Sequence, residues 1–300
     1  MKNNIYGYAF DIEGTLYNKG KLQHGVVKLF DIIAKINKPV VFVSGMSHYE
    51  IKQVVNMIVK KISTPLSYYI ASNAGSYITN NKDQQIYQNQ ITEQELKAIE
   101  NAVYKYEDAV ILYRTSTFNF ITVQPNDGNL KGNTLTKITK SNRRYTLIDN
   151  TTANALKQSD EIYSIEITTH NEKQLNEIYT QISSVLNKSQ ALLIGSFIQI
   201  THADKWTALR SLFNGNAFNV CYFGDGVNDI KCITNCKYAI LTNSCLLKMY
   251  DLIEDLSRQN KFATCDLANK TLLKYVTNQE YDEDDLQKLT LKTKTKMLKL

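Results

Sequence analysis

Proline and glycine are scarce, at 3 and 12 of 300 residues. That composition leaves little material for long disordered linkers. No apolar run approaches the ~20 residues that cross a bilayer. The opening stretch, MKNNIYGYAFDIEG, has none of the signal-peptide pattern. These absences predict a cytoplasmic protein with no membrane partner. The five cysteines, Cys221, Cys232, Cys236, Cys245 and Cys265, all fall in the last third. An odd number confined to one region is a poor disulfide framework. Cys232 and Cys236 fit one face of a helix, but no His or Cys set with zinc spacing completes a site, so structural thiols are expected. A basic arm is also missing. The net charge of +6 comes mainly from residues 1–80, which carry nine basic and four acidic side chains. That excess suits small anionic ligands and does not call for nucleic acid. The 19 tyrosines are spread along the chain and form no stacking platform.

What is present divides into three stretches. A chain of this length, 43% hydrophobic, is comfortable as two domains. Ile5 to Phe10 and Val40 to Ser44 read as buried strands, and Leu66 to Ala71 as a third. Helical periodicity fills His24 to Ile36 and Tyr49 to Val59 between them. Near-continuous apolar strands alternating with helices predict a doubly wound parallel sheet, covered on both faces. The pattern returns with a helix at Lys205–Phe213, strands at Val220–Phe223 and Lys237–Leu241, and a helix at Leu246–Leu256. Between lie helices near 92–108 and 171–187, with strands near 109–113, 119–124, 161–168 and 190–194. The expected organisation is an α/β core of residues 1–80 and 196–300, with an α/β domain inserted at 81–195. Residues 266–300 form a C-terminal extension. Its end, KLTLKTKTKMLKL, reads as a terminal helix or frayed tail with solvated lysines. A membrane-surface or partner-binding tail is the alternative, although the alternation of Lys and Thr makes no clean amphipathic face.

Chemistry-bearing residues sit where strands end, the side on which open parallel sheets bind ligands. Asp11 follows the first strand, with Glu13 two residues on. This gives a nucleophile, ionised at neutral pH on its reference pKa of ~3.9, and a proton donor. Ser44 and Gly45 follow the second strand, where a hydroxyl and exposed N–H groups can hold phosphoryl oxygens; a simple helix cap explains them equally. Lys205, just ahead of a helix, can balance charge. Gly224-Asp225-Gly226-Val227-Asn228-Asp229 places two carboxylates and an amide at another strand end. Hard oxygen ligands of this kind suit Mg²⁺, and a divalent cation relieves the repulsion among Asp11, Glu13, Asp225 and Asp229.

The ordered set DIEGT (11–15), SG (44–45), Lys205 and GDGVND (224–229) resembles the haloacid dehalogenase (HAD) superfamily. SNAG (72–75) and the placement of the insertion are similar to the subgroup with a large α/β cap of the C2B type, which includes Cof-like sugar phosphatases and sucrose phosphatase. The resemblance covers about residues 5 to 260. It implies that Asp11 is the nucleophile and a metal ligand. It makes Glu13 the acid/base, its backbone carbonyl on the metal, and gives the phosphoryl group to Ser44, Gly45 and Lys205. Asp225 then binds Mg²⁺ directly, Asp229 supports it, Asn228 orients nearby groups, and Asn73 lies at the substrate side. Most members carry Asp where this chain has Glu13, although enolase-phosphatases also read DIEGT.

The expected activity is Mg²⁺-dependent hydrolysis of a small phosphorylated metabolite, such as a sugar phosphate, through an aspartyl phosphate. The inserted domain would close over the site and choose the substrate, with Arg114, Arg143 and Arg144 as candidate contacts. A phosphomutase or phosphotransferase using the same intermediate and a non-catalytic phospholigand-binding protein remain alternatives. Monomer and homodimer are both compatible with the sequence.

Overall fold

The computed structural model describes residues 4–106, 108–122, 145–148, 150–158, 162–242, 261–264, 266–277 and 282–297. The core sheet begins with β1 (Gly7–Phe10), followed by a short hairpin of β2 (Tyr17–Asn18) and β3 (Lys21–Leu22). Helix α1 (Val26–Lys35), β4 (Val40–Val43), α2 (His48–Val59) and β5 (Tyr68–Ser72) continue it in parallel. The chain then turns back through β6 (Tyr77–Asn80) and β7 (Gln85–Gln88), both antiparallel to their neighbours.

A second sheet follows. Its elements are α3 (Glu93–Val103), β8 (Val110–Arg114), β9 (Asn119–Thr122) and β10 (Thr146–Ile148). Then come α4 (Asn150–Gln158), β11 (Ser164–Thr168), α5 (Glu172–Val185), β12 (Gln190–Ile194) and β13 (Phe197–Thr201). The strand order is β10-β9-β8-β11-β13-β12.

The core resumes with α6 (Lys205–Phe213), β14 (Val220–Gly224), α7 (Ile230–Asn235), β15 (Tyr238–Leu241) and β16 (Lys261–Ala263). Helices α8 (Lys270–Val276) and α9 (Glu283–Met297) close the described chain. The eight core strands run β16-β15-β14-β1-β4-β5-β6-β7. The doubly wound α/β architecture expected from the sequence is therefore found.

Alternation along the central strands sorts the core. Tyr8, Phe10, Val40 and Phe42 pack with α1, α2 and α8 on one face. Ala9, Val41 and Val43 pack with α6 and α7 on the other. Burial on both faces is why these strands read as continuous apolar runs. Ser47 caps α2, with Glu50 returning to its N–H at 2.9 Å and its Oγ at 2.7 Å.

The limits expected for the inserted domain, 81 and 195, need correction. β7 pairs with β6 in the core sheet, and β13 pairs with β11 and β12 in the second. Hydrogen bonding, which composition does not report, moves both limits. The helix expected at Leu246–Leu256, together with Arg143, Arg144, Cys245 and Cys265, lies outside the described residues. Cys221, Cys232 and Cys236 are buried and outside any disulfide among the described residues. The C-terminal segment includes a helix, α9, with Leu286 and Thr290 buried. No helix among the described residues is long and apolar enough to cross a membrane.

Candidate active site

β1 ends at Phe10, and the backbone N–H of Asp11 continues the ladder to Phe223 O on β14 at 2.9 Å. This fixes Asp11 beside the turn after β14, which carries Asp225 and Asp229. Lys205, the first residue of α6, reaches between them. Its Nζ donates to Asp11 Oδ1 at 2.5 Å and to Asp229 Oδ1 at 2.6 Å. Asp204 holds that helix start by accepting from the Thr207 N–H at 2.7 Å. Asp229 is held on every side: Tyr222 donates to Oδ1 at 2.5 Å, and the N–H groups of Asp225 and Gly226 donate to Oδ2 at 3.0 and 2.8 Å. Thr15 donates to Asp225 Oδ1 at 3.1 Å. Gly14, at φ +81°, makes room for that carboxylate.

The result is a buried cluster short of positive charge. Oxygens of Asp11, Asp225 and Asp229 lie within 4.8 Å of one another, with all three residues buried. Burial pushes the Asp11 carboxyl well above its ordinary value; Lys205 opposes the shift, and Asp229 and Asp225 add to it. Asp225 is pushed up to about 6 by burial and then by Asp229, with Thr15 and Lys205 opposing. Burial alone would lower the Lys205 ammonium, but Asp11 and Asp229 outweigh it and raise it. Desolvation and two neighbouring acids thus work against the Asp11 charge, and Lys205 works for it. Three converging carboxylates with one ammonium fit a hard divalent cation, whose charge would offset theirs.

These groups open into a cavity of about 890 Å³ between the two sheets. Glu13, Ser44, Gly45 and Asn228 line it together with Asp11 and Asp225. Glu13 is exposed, and Ser44 is buried, its Oγ accepting from the Met46 N–H at 3.3 Å. Asn73 is not among the residues that line this cavity. Its backbone is left-handed at φ +51°, and its side-chain amide donates to Thr115 O at 3.4 Å, beyond the end of β8. The turn it forms instead props the Ser44 loop, with Ala74 N–H donating to Ser44 O at 2.8 Å.

The second sheet supplies the remaining wall. Arg114, Glu166, Ile194, Phe197 and Gln199 all line the cavity. Cross-strand register places Glu166 between Leu112 and Gln199, and Phe197 opposite Ile194. Their strand neighbours Ile165, Ile167, Ile198 and Ile200 pack with α3 and α5 on the opposite face. Reading the sequence missed Glu50, Glu166 and Gln199. In EIYSIEITT polar and apolar residues alternate, and the structure places its Glu166 on the cavity wall and buries it. Arg114, a named candidate, is here tied to Glu166 at 2.8 Å and Glu50 at 3.3 Å.

A family model described as haloacid dehalogenase-like hydrolase matches residues 8–244. No curated protein matches the chain significantly. Among solved structures, the fold is similar to a haloacid dehalogenase-like hydrolase from B. subtilis (TM-score 0.69, 12% identity, 90% of this chain and 98% of that one). A HAD subclass IIB sugar phosphatase superposes with TM-score 0.66 at 13% identity, over 89% of this chain and 96% of its own. A HAD phosphatase from Bacteroides thetaiotaomicron gives 0.69 at 13% identity, over 91% and 94%.

Proposed function

This chain belongs to the haloacid dehalogenase-like hydrolase family, and from that premise we propose that it is a Mg²⁺-dependent phosphatase acting on a small phosphorylated metabolite. In this reading the second sheet and its helices are the cap, and the eight-stranded sheet is the catalytic core. The observation that carries the proposal is the buried triad Asp11, Asp225 and Asp229, with Lys205 bridging Asp11 and Asp229.

Asp11 attacks phosphorus in line with the leaving oxygen, forming an acyl phosphate and releasing the alcohol. Glu13, on the exposed turn after β1, protonates that oxygen. It then takes a proton from the water that attacks the aspartyl phosphate, freeing inorganic phosphate and restoring Asp11. Charge in the loose transition state sits on the equatorial oxygens. Lys205, the Ser44 hydroxyl and N–H groups of the loop after β4 face that charge. Asp11, Asp225, Asp229 and the Glu13 carbonyl would hold Mg²⁺, which would supply further positive charge there.

Phosphate release from sugar phosphates, nucleotides and p-nitrophenyl phosphate, with Mg²⁺ and with EDTA, tests the reading. Release that needs Mg²⁺ and disappears in Asp11→Asn is expected. Folded, Mg²⁺-binding protein that releases phosphate from none of these compounds would overturn it.

A further inference from the structure

We propose that Arg114 and Gln199 are positioning residues, which carry the seating of the cap to loop 44–47 and so order that loop for a phosphoryl group. The coupling rests on the phosphatase reading and deepens it: the cap, besides covering the site, prepares its phosphate loop.

Contacts from the second sheet converge on this loop by three routes. Arg114, the last residue of β8, places Nη1 3.3 Å from Glu50 Oε2 on α2. The Asn119 amide of β9 donates to the same carboxylate. Glu50 Oε2 in turn accepts from the N–H and hydroxyl of Ser47, at 2.9 and 2.7 Å. On the second route, Gln199 Nε2 of β13 donates to Gly45 O at 3.3 Å, and a Cβ on Gly45 would stand 2.6 Å from that nitrogen. On the third, Thr115 O accepts from the Asn73 amide at 3.4 Å. The Asn73 N–H donates to Met46 O at 2.9 Å, and the Ala74 N–H to Ser44 O at 2.8 Å. Ser44 and Met46 thus hang from the Asn73 turn, Gly45 from Gln199, and Ser47 from Glu50.

The Arg114–Glu50 joint can part without stranding a charge. Arg114 also reaches Glu166 of its own sheet at 2.8 Å, and Glu50 keeps Ser47. Opening therefore costs one charged contact and leaves no unpaired ion. While closed, the joint is strong: the two side chains are only 6% and 11% exposed, so solvent and salt screen them little. Burial works against the Glu50 charge, but Arg114, Ser47 and Asn119 outweigh burial and hold its carboxyl below the usual range. An anion site built from a hydroxyl and loop N–H groups works best when they are fixed before the anion arrives. Lifting the cap removes Arg114 and Gln199 together and leaves the loop on its core contacts.

Hydrogen exchange and phosphate binding test the coupling. In ligand-free Arg114→Met, the N–H groups of Met46 and Ser47 should exchange ~10-fold faster than in wild type, while those of Leu29 and Ile33 on α1 keep their rates. Inorganic phosphate carries no leaving group that could touch the cap. Its affinity for the protein with Mg²⁺, by calorimetry, should nonetheless fall ~10-fold in Arg114→Met and in Glu50→Gln. The double variant should lose no more than the larger single loss, since both changes break one link. Should Arg114→Met not fold, Gln199→Leu should show the same faster exchange at Met46 and the same loss of phosphate affinity. Loop exchange equal to wild type, phosphate affinity unchanged, or losses that add overturns the inference. Wild-type protein that binds no phosphate counts against the phosphatase reading. The exchange rates then decide the coupling by themselves, faster loop exchange supporting it and equal exchange overturning it.

Discussion

A β-carbon on Gly14 would stand 2.0 Å from Oδ2 of Asp225. The two residues lie on different strand ends, 211 positions apart, yet one defines the space of the other. Gly14→Ala therefore has to move the Asp225 carboxylate, and it also strains a backbone at φ +81°. Mg²⁺ affinity, measured by calorimetry, should fall, and kcat/KM should drop by ~100-fold. Unchanged metal affinity would show that Asp225 is not a ligand.

Lys205 is the only cation donating to both Asp11 and Asp229 among the described residues. Lys205→Met removes it and leaves buried carboxylates without their partner. The unfolding free energy in EDTA should fall by about 3–5 kcal/mol. Excess Mg²⁺ should recover part of that loss in a thermal melt, because the ion reaches the same carboxylates. Phosphate release should stay lost, since the ammonium also faces the phosphoryl group.

Metal binding should depend on acidity with a defined sign. Asp225 is pushed up to about 6, so below that pH the apo site holds a proton that an incoming cation must displace. Mg²⁺ affinity should decline as pH falls through about 6. Calorimetry near pH 6 in two buffers of different ionisation enthalpy should report proton release on binding.

A separate acid effect is expected where the chain passes between the sheets. His202 bridges Asn89 Oδ1 at 3.1 Å and Glu95 Oε2 at 2.6 Å. Burial alone would raise Glu95. The N–H groups of Ser189 and Lys188, with His202 and Thr92, more than offset it and hold the carboxyl at about 2, against an ordinary 4.5. A depressed acid stabilises the fold fully above its unfolded value and loses that contribution as pH falls through its folded one. Glu95 should thus contribute on the order of 3 kcal/mol at pH 7. Urea unfolding of wild type and Glu95→Gln should differ by about that amount at pH 7. The gap should close between pH 4.5 and 2.

Much of the site was legible because its residues sit at strand ends that the apolar runs announce. Asp11 after GYAF and Asp225 after VCYFG are examples. Lys205 was legible only through its order among the other motifs; nothing local in KWTALRSLF says that its ammonium reaches two acids on other strands. The left-handed backbone of Asn73 and the contact of its amide with Thr115 O were not legible in SNAG. The short strands β6 and β7 and the hairpin β2–β3 escaped notice because they carry neither a continuous apolar run nor enough length for a period to show.

By itself the sequence determined the class of fold and the chemical groups at the strand ends. Both follow from local facts: strands buried on two faces must be apolar throughout, and a carboxylate after such a strand emerges where ligands bind. Only the tertiary structure decided how those groups interact. It brought Asp11, Asp225 and Asp229 within 4.8 Å and buried them, and so set their charges against one another. It also turned Glu166 and Gln199 inward, because the opposite face of their strands had to cover α3 and α5. Burial and cross-strand register are properties of the packed chain, and no stretch of sequence carries them alone.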